Sequence, residues 1–266
     1  MNPTCKKRMG AIRLESMKVV AQEEIAPAIF ELVLEGEMVE AMRAGQFLHL
    51  RVPDDAHLLR RPISISSIDK AKKQCRLIYR IEGAGTAIFS TLSQGDTLDM
   101  MGPQGNGFDL SDLDNQSQVL LVGGGIGVPP LLEVAKELHA RGVTVVTVLG
   151  FATKDAVILE TELAQYGQVF VTTDDGSYSI KGNVSVVIND LDSQFDAVYS
   201  CGAPGMMKYI NQTFYDHPRA YLSLESRMAC GMGACYACVL KVPDSETVSQ
   251  RVCEDGPVFR TGTVLL

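Results

Sequence analysis

The apolar positions of this chain change period once, near residue 115, and the change predicts two kinds of structure. From about 14 to 112 the pattern is that of short strands. "SMKVVAQEEIAPAIFELVLEG" holds two apolar strands around a break at Pro27, and "GQFLHLRVP" alternates apolar with polar positions. "RRPISISSID" and "QCRLIYRIEG" are β-branched and bounded by turn residues, and "GDTLDMMGPQGNGF" is a strand ending in a Gly/Pro/Asn-rich loop. Strands at this spacing predict a small antiparallel barrel. From about 115 to 222 apolar strands alternate with helical segments, beginning with "QVLLVGGGIGVPPLLEVAKELHARG". That alternation predicts a parallel α/β sheet. The first helix starts at Pro129 and Pro130, where a missing N–H costs nothing, and repeats apolar residues at Leu131, Leu132, Val134, Ala135 and Leu138. After "YLSLESRM" the alternation stops, and residues 223–266 read as a small separate module. Residues 1–13 carry no period and read as a flexible tail.

Composition narrows the function classes. The chain has 266 residues, 46% of them hydrophobic, enough for a buried core in about two domains. A net charge of −8 argues against a nucleic-acid surface, which needs a basic footprint. No apolar run is long enough to span a bilayer, and the basic N-terminus lacks the apolar stretch of a secretory signal. A cytoplasmic protein is expected, with reduced thiols. There are seven cysteines, an odd number, so clustered ones point to metal or redox chemistry before a disulfide framework.

Four of the seven, Cys230, Cys235, Cys238 and Cys253, follow the spacing C-x4-C-x2-C-x14-C. Thiolates suit zinc or iron–sulfur. Structural zinc favours two short chelating pairs, whereas three ligands in one loop and a distant fourth follow the order of plant-type [2Fe–2S] centres. Gly231 and Gly233 let the backbone pass close to such a centre and aim N–H groups at sulfur. Zinc and a disulfide pair remain the other readings.

The remaining motifs are weaker singly. "RRPISISS" offers the Arg61 guanidinium to a phosphate, although a strand arginine is commonly just a surface residue. In "EGAGTAIF", Thr86 is expected to cap a short helix facing an anion. The glycine loop at 122–127, "VGGGIG", is placed between strand and helix to cradle phosphate. It departs from the usual dinucleotide fingerprint, since Pro-Pro follows and no acid ends the second strand in "VLGFAT". Asp174 and Asp175 are candidates for an adenosine or simply a solvated turn. Cys201 and Gly202 follow the strand "DAVY", where open α/β sheets bind ligands; a lone cysteine there is more often a buried structural thiol. No protease, hydrolase or phosphate-loop motif is present, and no catalytic residue is assigned.

Taken in order, "RPIS", "GAGT", "GGGIGVPP", "CGAPGMM" and the cysteine loop resemble the ferredoxin–NADP reductase superfamily. With "CGMGACYACV" and the later cysteine, the chain is similar to the electron-transfer subunits of dihydroorotate dehydrogenase B, over about residues 14–266. The resemblance implies an FAD-binding barrel (14–112), an NAD-binding α/β domain (115–222) and a [2Fe–2S] module (223–266). It carries Arg61, Pro62, Ile63 and Ser64 onto the flavin motif, Ile78, Tyr79 and Arg80 onto a second flavin-contacting strand, and Gly85 and Thr86 onto a diphosphate turn. Gly123, Gly124, Gly125, Gly127, Cys201 and Gly202 fall on the nicotinamide-nucleotide side, and the four clustered cysteines on the cluster ligands. It further implies an FMN-containing partner that oxidises dihydroorotate in pyrimidine (UMP) synthesis, in a heterotetramer of two plus two, with electrons passing through [2Fe–2S] and FAD to NAD+. Two alternatives stand beside this. One is the same machinery serving a ferredoxin:NADP oxidoreductase, sulfide dehydrogenase or hydrogenase. The other is a colourless zinc module fused to a nucleotide sensor.

Overall fold

Side chains alternate between inside and outside in the middle of the first strand, β1 (Arg13–Ala26), where Met17 and Val19 are buried and Lys18 is exposed. This is a computed structural model, and it describes residues 11–191 and 194–266. Residues 1–10, most of the expected tail, lie outside the described residues, as does Cys5; the strand already begins at Arg13. The chain turns at Pro27 and Ala28 into β2 (Ile29–Glu35), then continues through β3 (Phe47–Leu50), β4 (Arg61–Asp69) and β5 (Gln74–Arg80). A short helix, α1 (Ala84–Phe89), precedes β6 (Thr97–Gln104).

These six strands close into a barrel in the order β1-β2-β5-β4-β3-β6, each pair antiparallel. Closure leaves no strand edge unpaired. Leu32, Leu34, Leu48, Leu50, Ile65, Leu77 and Tyr79 fill the interior. On β5, Cys75, Leu77 and Tyr79 therefore face in, while Arg76, Ile78 and Arg80 face out.

The second half is the expected parallel sheet. Its elements are β7 (Gln118–Gly124), α2 (Pro129–Ala140), β8 (Thr144–Phe151), α3 (Glu160–Leu163), β9 (Gln168–Thr173), β10 (Ile180–Lys181), α4 (Val184–Asp190), β11 (Ala197–Cys201), α5 (Pro204–Thr213) and β12 (Ala220–Ser223). The chain then forms a ribbon of β13 (Val239–Lys241) and β14 (Ser249–Arg251), and β15 (Val258–Arg260) joins the large sheet beside β12. The sheet order is β10-β9-β8-β7-β11-β12-β15, with parallel pairing from β10 to β12. Order runs outward in opposite directions from β7 and β11, so a switch point lies between their carboxyl ends. The apolar residues that predicted α2 are all buried.

Compactness divides the described chain into two units where the sequence suggested three segments. One unit runs to Gly107 and includes Leu224–Val258; the other comprises Phe108–Ser223 and Phe259–Leu266. Backbone hydrogen bonds show why the cysteine segment groups with the barrel: the Asn106 amide donates to the Gly256 carbonyl at 2.7 Å, and the Asn106 side chain donates to the Glu254 carbonyl at 2.9 Å. Among the described residues no helix is long and apolar enough to cross a membrane.

Candidate functional site

The cysteine loop is built for sulfur. Gly231 and Gly233 have φ of 67° and 81°, the left-handed region that the sequence assigned to them. Their turns direct backbone amides onto thiol sulfurs. Met232 and Cys235 N–H groups donate to Cys230 Sγ at 3.4 Å each, and Gly233 N–H donates to Cys253 Sγ at 3.2 Å. The thiols associate in pairs: Cys238 Sγ lies 3.3 Å from Cys253 Sγ, and Cys235 bonds to Cys230. Two ligands for each of two irons is what a binuclear centre needs. Among the described residues no three His, Cys, Asp or Glu side chains converge on a single ion.

The amides also set the charge on the sulfurs. Burial pushes the Cys230 thiol up, but the amides of Met232 and Cys235 outweigh it and bring the group down to about 7. Cys253 is pushed up to about 12, first by burial and then by sharing its proton with Cys238. Cys230 is thus poised as thiolate near neutral pH, and Cys253 must lose its proton when metal binds.

Under the loop the barrel presents buried polar groups. A Cβ on Gly231 would stand 2.4 Å from His49 Nδ1 and 2.8 Å from Gln104 Oε1, so only glycine fits. His49, on β3, is fully buried, and a hydrogen bond to the Arg60 backbone favours its protonated form by less than burial disfavours it; Gln104 Oε1 and Asn106 Oδ1 are unpaired among the described residues. Burial, reinforced by the charges of Arg60 and Arg61, holds the imidazole at about 4, so it is neutral at pH 7.

The two arginines of "RRPIS" have different work. Arg60 is fixed by Asp99, with its Nη2 3.0 Å from both carboxylate oxygens, and its Nη1 donates to the Asp99 carbonyl at 3.0 Å. Arg61 has no carboxylate partner among the described residues; it donates to the Leu59 carbonyl and lies against Gly85. A Cβ at Gly85 would fall 2.9 Å from Arg61 Nε. The "RPIS" strand and the "GAGT" turn, separate in sequence, are therefore brought together around an unpaired cation, which suits a phosphate. Pro62 pairs with His49 in the ladder, and Ser64 with Phe47. Ile63 packs against the barrel core.

Two of these residues act from unexpected positions. Thr86 is not the N-cap residue of α1 and caps it from inside. It sits at the third helical position, and its hydroxyl accepts the N–H groups of Glu82 and Gly83 at 2.9 and 3.2 Å, because Gly83 takes the cap position itself. Tyr79 turns its side chain into the barrel, so only its backbone faces outward. It is 1% exposed inside the barrel, stacks on Phe30, and donates its hydroxyl to Gln22. Of residues 78–80, Ile78 and Arg80 hold the outer face, with Arg80 paired to Glu82.

In the α/β unit the two candidate loops meet at the switch point. Cys201 is in register with Gly123, and a Cβ on Gly127 would be 2.5 Å from the backbone N and Cα of Gly202. A Cβ on Gly202 would lie 2.9 Å from Gly124 backbone and 2.6 Å from the Met206 side chain. Gly125 has φ of 54°. Gly124, Gly125 and Gly202 remain only partly buried at this meeting point, while Gly127 is buried against Gly202. The Cys201 thiol is buried, with the residue 3% exposed. Asp175 spends its carboxylate on the N–H and hydroxyl of Ser177 within its own turn.

Sequence reasoning did not single out His49, Gln104, Asn106 or Arg251. A histidine in the apolar alternation of "FLHL" and an arginine two residues before the last cysteine were the available signals.

Comparison with known proteins agrees with this layout. A family model described as an oxidoreductase FAD-binding domain matches residues 14–108, and the iron–sulfur cluster binding domain of dihydroorotate dehydrogenase B matches residues 225–265. A dihydroorotate dehydrogenase B (NAD(+)) electron transfer subunit from Streptococcus pneumoniae is 94% identical over 255 residues, 96% of this chain and 100% of its own. The protein of that name from Geobacillus thermodenitrificans is 51% identical over 254 residues, 95% of this chain and 98% of its own. Among solved structures, an NADH-dependent reduced ferredoxin-NADP oxidoreductase superposes with a TM-score of 0.83 at 30% identity, covering 93% of this chain and 89% of that one. A ferredoxin NADP+ reductase from Neisseria gonorrhoeae, solved with bound FAD and NADP, shares the fold alone, with a TM-score of 0.66 at 19% identity over 77% of this chain and 92% of that one.

Proposed function

This chain belongs to the family of electron transfer subunits of NAD(+)-dependent dihydroorotate dehydrogenase B, and from that premise we propose that it carries electrons from a dihydroorotate-oxidising, FMN-containing partner subunit to NAD+. The observation that carries the reading is the pairing of Cys230 with Cys235 and Cys238 with Cys253 beneath inward-pointing amides. When bound, a [2Fe–2S] centre supplies single-electron transfer and FAD supplies the conversion to hydride chemistry on NAD+.

The chain's own residues provide placement. Cys230, Cys235, Cys238 and Cys253 hold the iron, and the Met232, Gly233 and Cys235 amides stabilise negative charge on its ligands. Arg61 and the Gly85–Thr86 turn hold the flavin diphosphate, while Pro62, Ile63, Ser64, Ile78, Arg80 and the backbone at Tyr79 shape the ring's support. Gly123, Gly124, Gly125, Gly127 and Gly202 let the nucleotide approach the sheet, with Cys201 ending the strand. No side chain would be needed as a general base toward NAD+, since a flavin that has received two electrons and taken up one proton from solvent would supply a complete hydride. Met232, Tyr236 and Val239 are exposed around the cysteine loop, a surface suited to the partner in a complex of two plus two chains. A cytoplasmic setting in pyrimidine synthesis follows from the same reading.

The test is made on the complex isolated from its own cell at low oxygen. Dihydroorotate and NAD+ are added and NADH formation is followed by absorbance. NADH production that requires this chain supports the reading. Flavin and iron–sulfur bands that NADH bleaches, without dihydroorotate turnover, would transfer the chain to another NAD(P)H oxidoreductase.

A further inference from the structure

Arg251 ends the ribbon strand β14, two residues before Cys253, and its side chain is clamped on three sides. Nε lies 3.2 Å from Asp255 Oδ2, the same oxygen that accepts the Arg251 backbone N–H at 2.7 Å. The guanidinium stacks over the Tyr236 ring, 5.1 Å from its centroid. Nη1 donates to the Gly233 carbonyl at 2.9 Å. Gly233 is itself a donor to the site: its N–H bonds to Cys253 Sγ at 3.2 Å, and two residues on the Cys235 N–H bonds to Cys230 Sγ at 3.4 Å. The guanidinium thus holds the carbonyl that lies between two amides aimed at cluster ligands. Fixing that carbonyl fixes the direction of both donors. The arginine also brings a positive charge to a loop whose ligands are negative.

We propose that Arg251 is a positioning residue that raises the reduction potential of the iron–sulfur site, by fixing the Gly233 carbonyl so that the Gly233 and Cys235 amides stay aimed at Cys253 and Cys230. The inference rests on the cluster reading above. Each reduction adds one electron and one unit of negative charge to the site, with no bond made or broken. Amide hydrogen bonds and a nearby cation favour the more negative state, so their loss shifts the potential downward. The fork of the guanidinium matters as well as its charge, because stacking on Tyr236 and pairing with Asp255 fix its direction.

The experiment is a dye-mediated redox titration of the full chain with its partner, reading the paramagnetic signal of the reduced cluster and the flavin absorbance in the same sample. Arg251→Gln is expected to move the cluster midpoint to more negative potential and alter the signal's shape, leaving the flavin midpoint in place. Arg251→Lys, which keeps a cation and a donor but not the fork, is expected to fall between Gln and the parent. A parent-like midpoint in Arg251→Gln, with iron content intact, overturns the proposal. If Arg251→Gln fails to retain iron, Arg251→Lys decides: a negative shift supports the role and a parent-like midpoint overturns it. Loss of iron from both variants also overturns it, making Arg251 a purely structural clamp. If the parent itself shows no two-iron signal, the cluster reading fails, an outcome separate from any of these.

Discussion

His49 makes the barrel unit sensitive to acid in a way that can be isolated. The perturbation is a fall in pH, which asks a fully buried imidazole to take up a proton beside the charges of Arg60 and Arg61. Its value is about 4 in the folded chain against 6.5 ordinarily. Between those values the unfolded chain binds the extra proton, so stability is complete above pH 6.5 and is lost as pH falls toward 4. With 1.36 kcal/mol for each unit of difference, the loss is about 3 kcal/mol. For a protein of this size that corresponds to a fall in Tm on the order of 10 °C. Many carboxylates also titrate in this range, so the measurement is a difference. Melting temperatures of the parent and of His49→Gln are recorded from pH 7.5 to 4.5. The Gln side chain stays neutral throughout, and the variant's melting curve should depend on pH by roughly 10 °C less. Parallel pH dependences in the two proteins would refute the account, since they would mean that His49 accepts a proton at little cost and is either solvated or partnered.

Cys235→Ser should abolish the cluster while NADH still reduces the flavin; iron analysis beside flavin bleaching checks this, and an intact cluster would remove Cys235 from the ligand set. Arg61→Ala should weaken FAD binding by about 2 kcal/mol, roughly thirtyfold, as one charge-assisted contact is lost, and flavin retained on dilution as in the parent would show that Arg61 is no phosphate ligand. Gly127→Ala puts a methyl 2.5 Å from Gly202 backbone, which must separate the two loops; a cost of about 1–3 kcal/mol in stability and a raised KM for NADH in dye reduction are expected, whereas unchanged values would place the nucleotide elsewhere.

The parts of this fold that were legible in the sequence are those governed by local rules. The period of two in "GQFLHLRVP" and the apolar stripe of Leu131, Leu132, Val134, Ala135 and Leu138 follow from geometry within one element, so strand and helix could be read directly. The cysteine spacing was legible because ligand order is a property of one loop. What could not be read depended on which residues the barrel brings together. "RRPIS" does not reveal that Arg60 is consumed by Asp99 and Arg61 is left without a carboxylate, because Asp99 comes from another strand. Tyr79 lies beside two outward-facing residues, and only the register of β5 against the core shows that it points inward. Thr86 is the kind of residue that caps helices, but the chain already had a free position at Gly83 and used the hydroxyl to reach back.

The grouping of Leu224–Val258 with the barrel changes what the iron is needed for. A small module with too little core is ordinarily folded by its metal, and the sequence suggested such a case. Here the segment has anchors that do not involve sulfur. Gly231 closes on His49 and Gln104, Asn106 bonds to the carbonyls of Glu254 and Asp255, and a Cβ on Gly105 would be 2.3 Å from the Pro257 side chain. Val252 and Cys253 are fully buried. Loss of iron should therefore release only the sulfur-facing turn and the β13–β14 ribbon, not the whole segment. Hydrogen exchange on the cluster-free chain distinguishes the two cases. Amides of Met232, Gly233 and Cys235, whose acceptors are thiols, should lose protection, while those of Asn106 and Leu224, which bond to the Gly256 and Pro257 carbonyls, keep it. Equal loss at both sets would mean that the metal folds the segment, and that the anchors on the barrel form only after it binds.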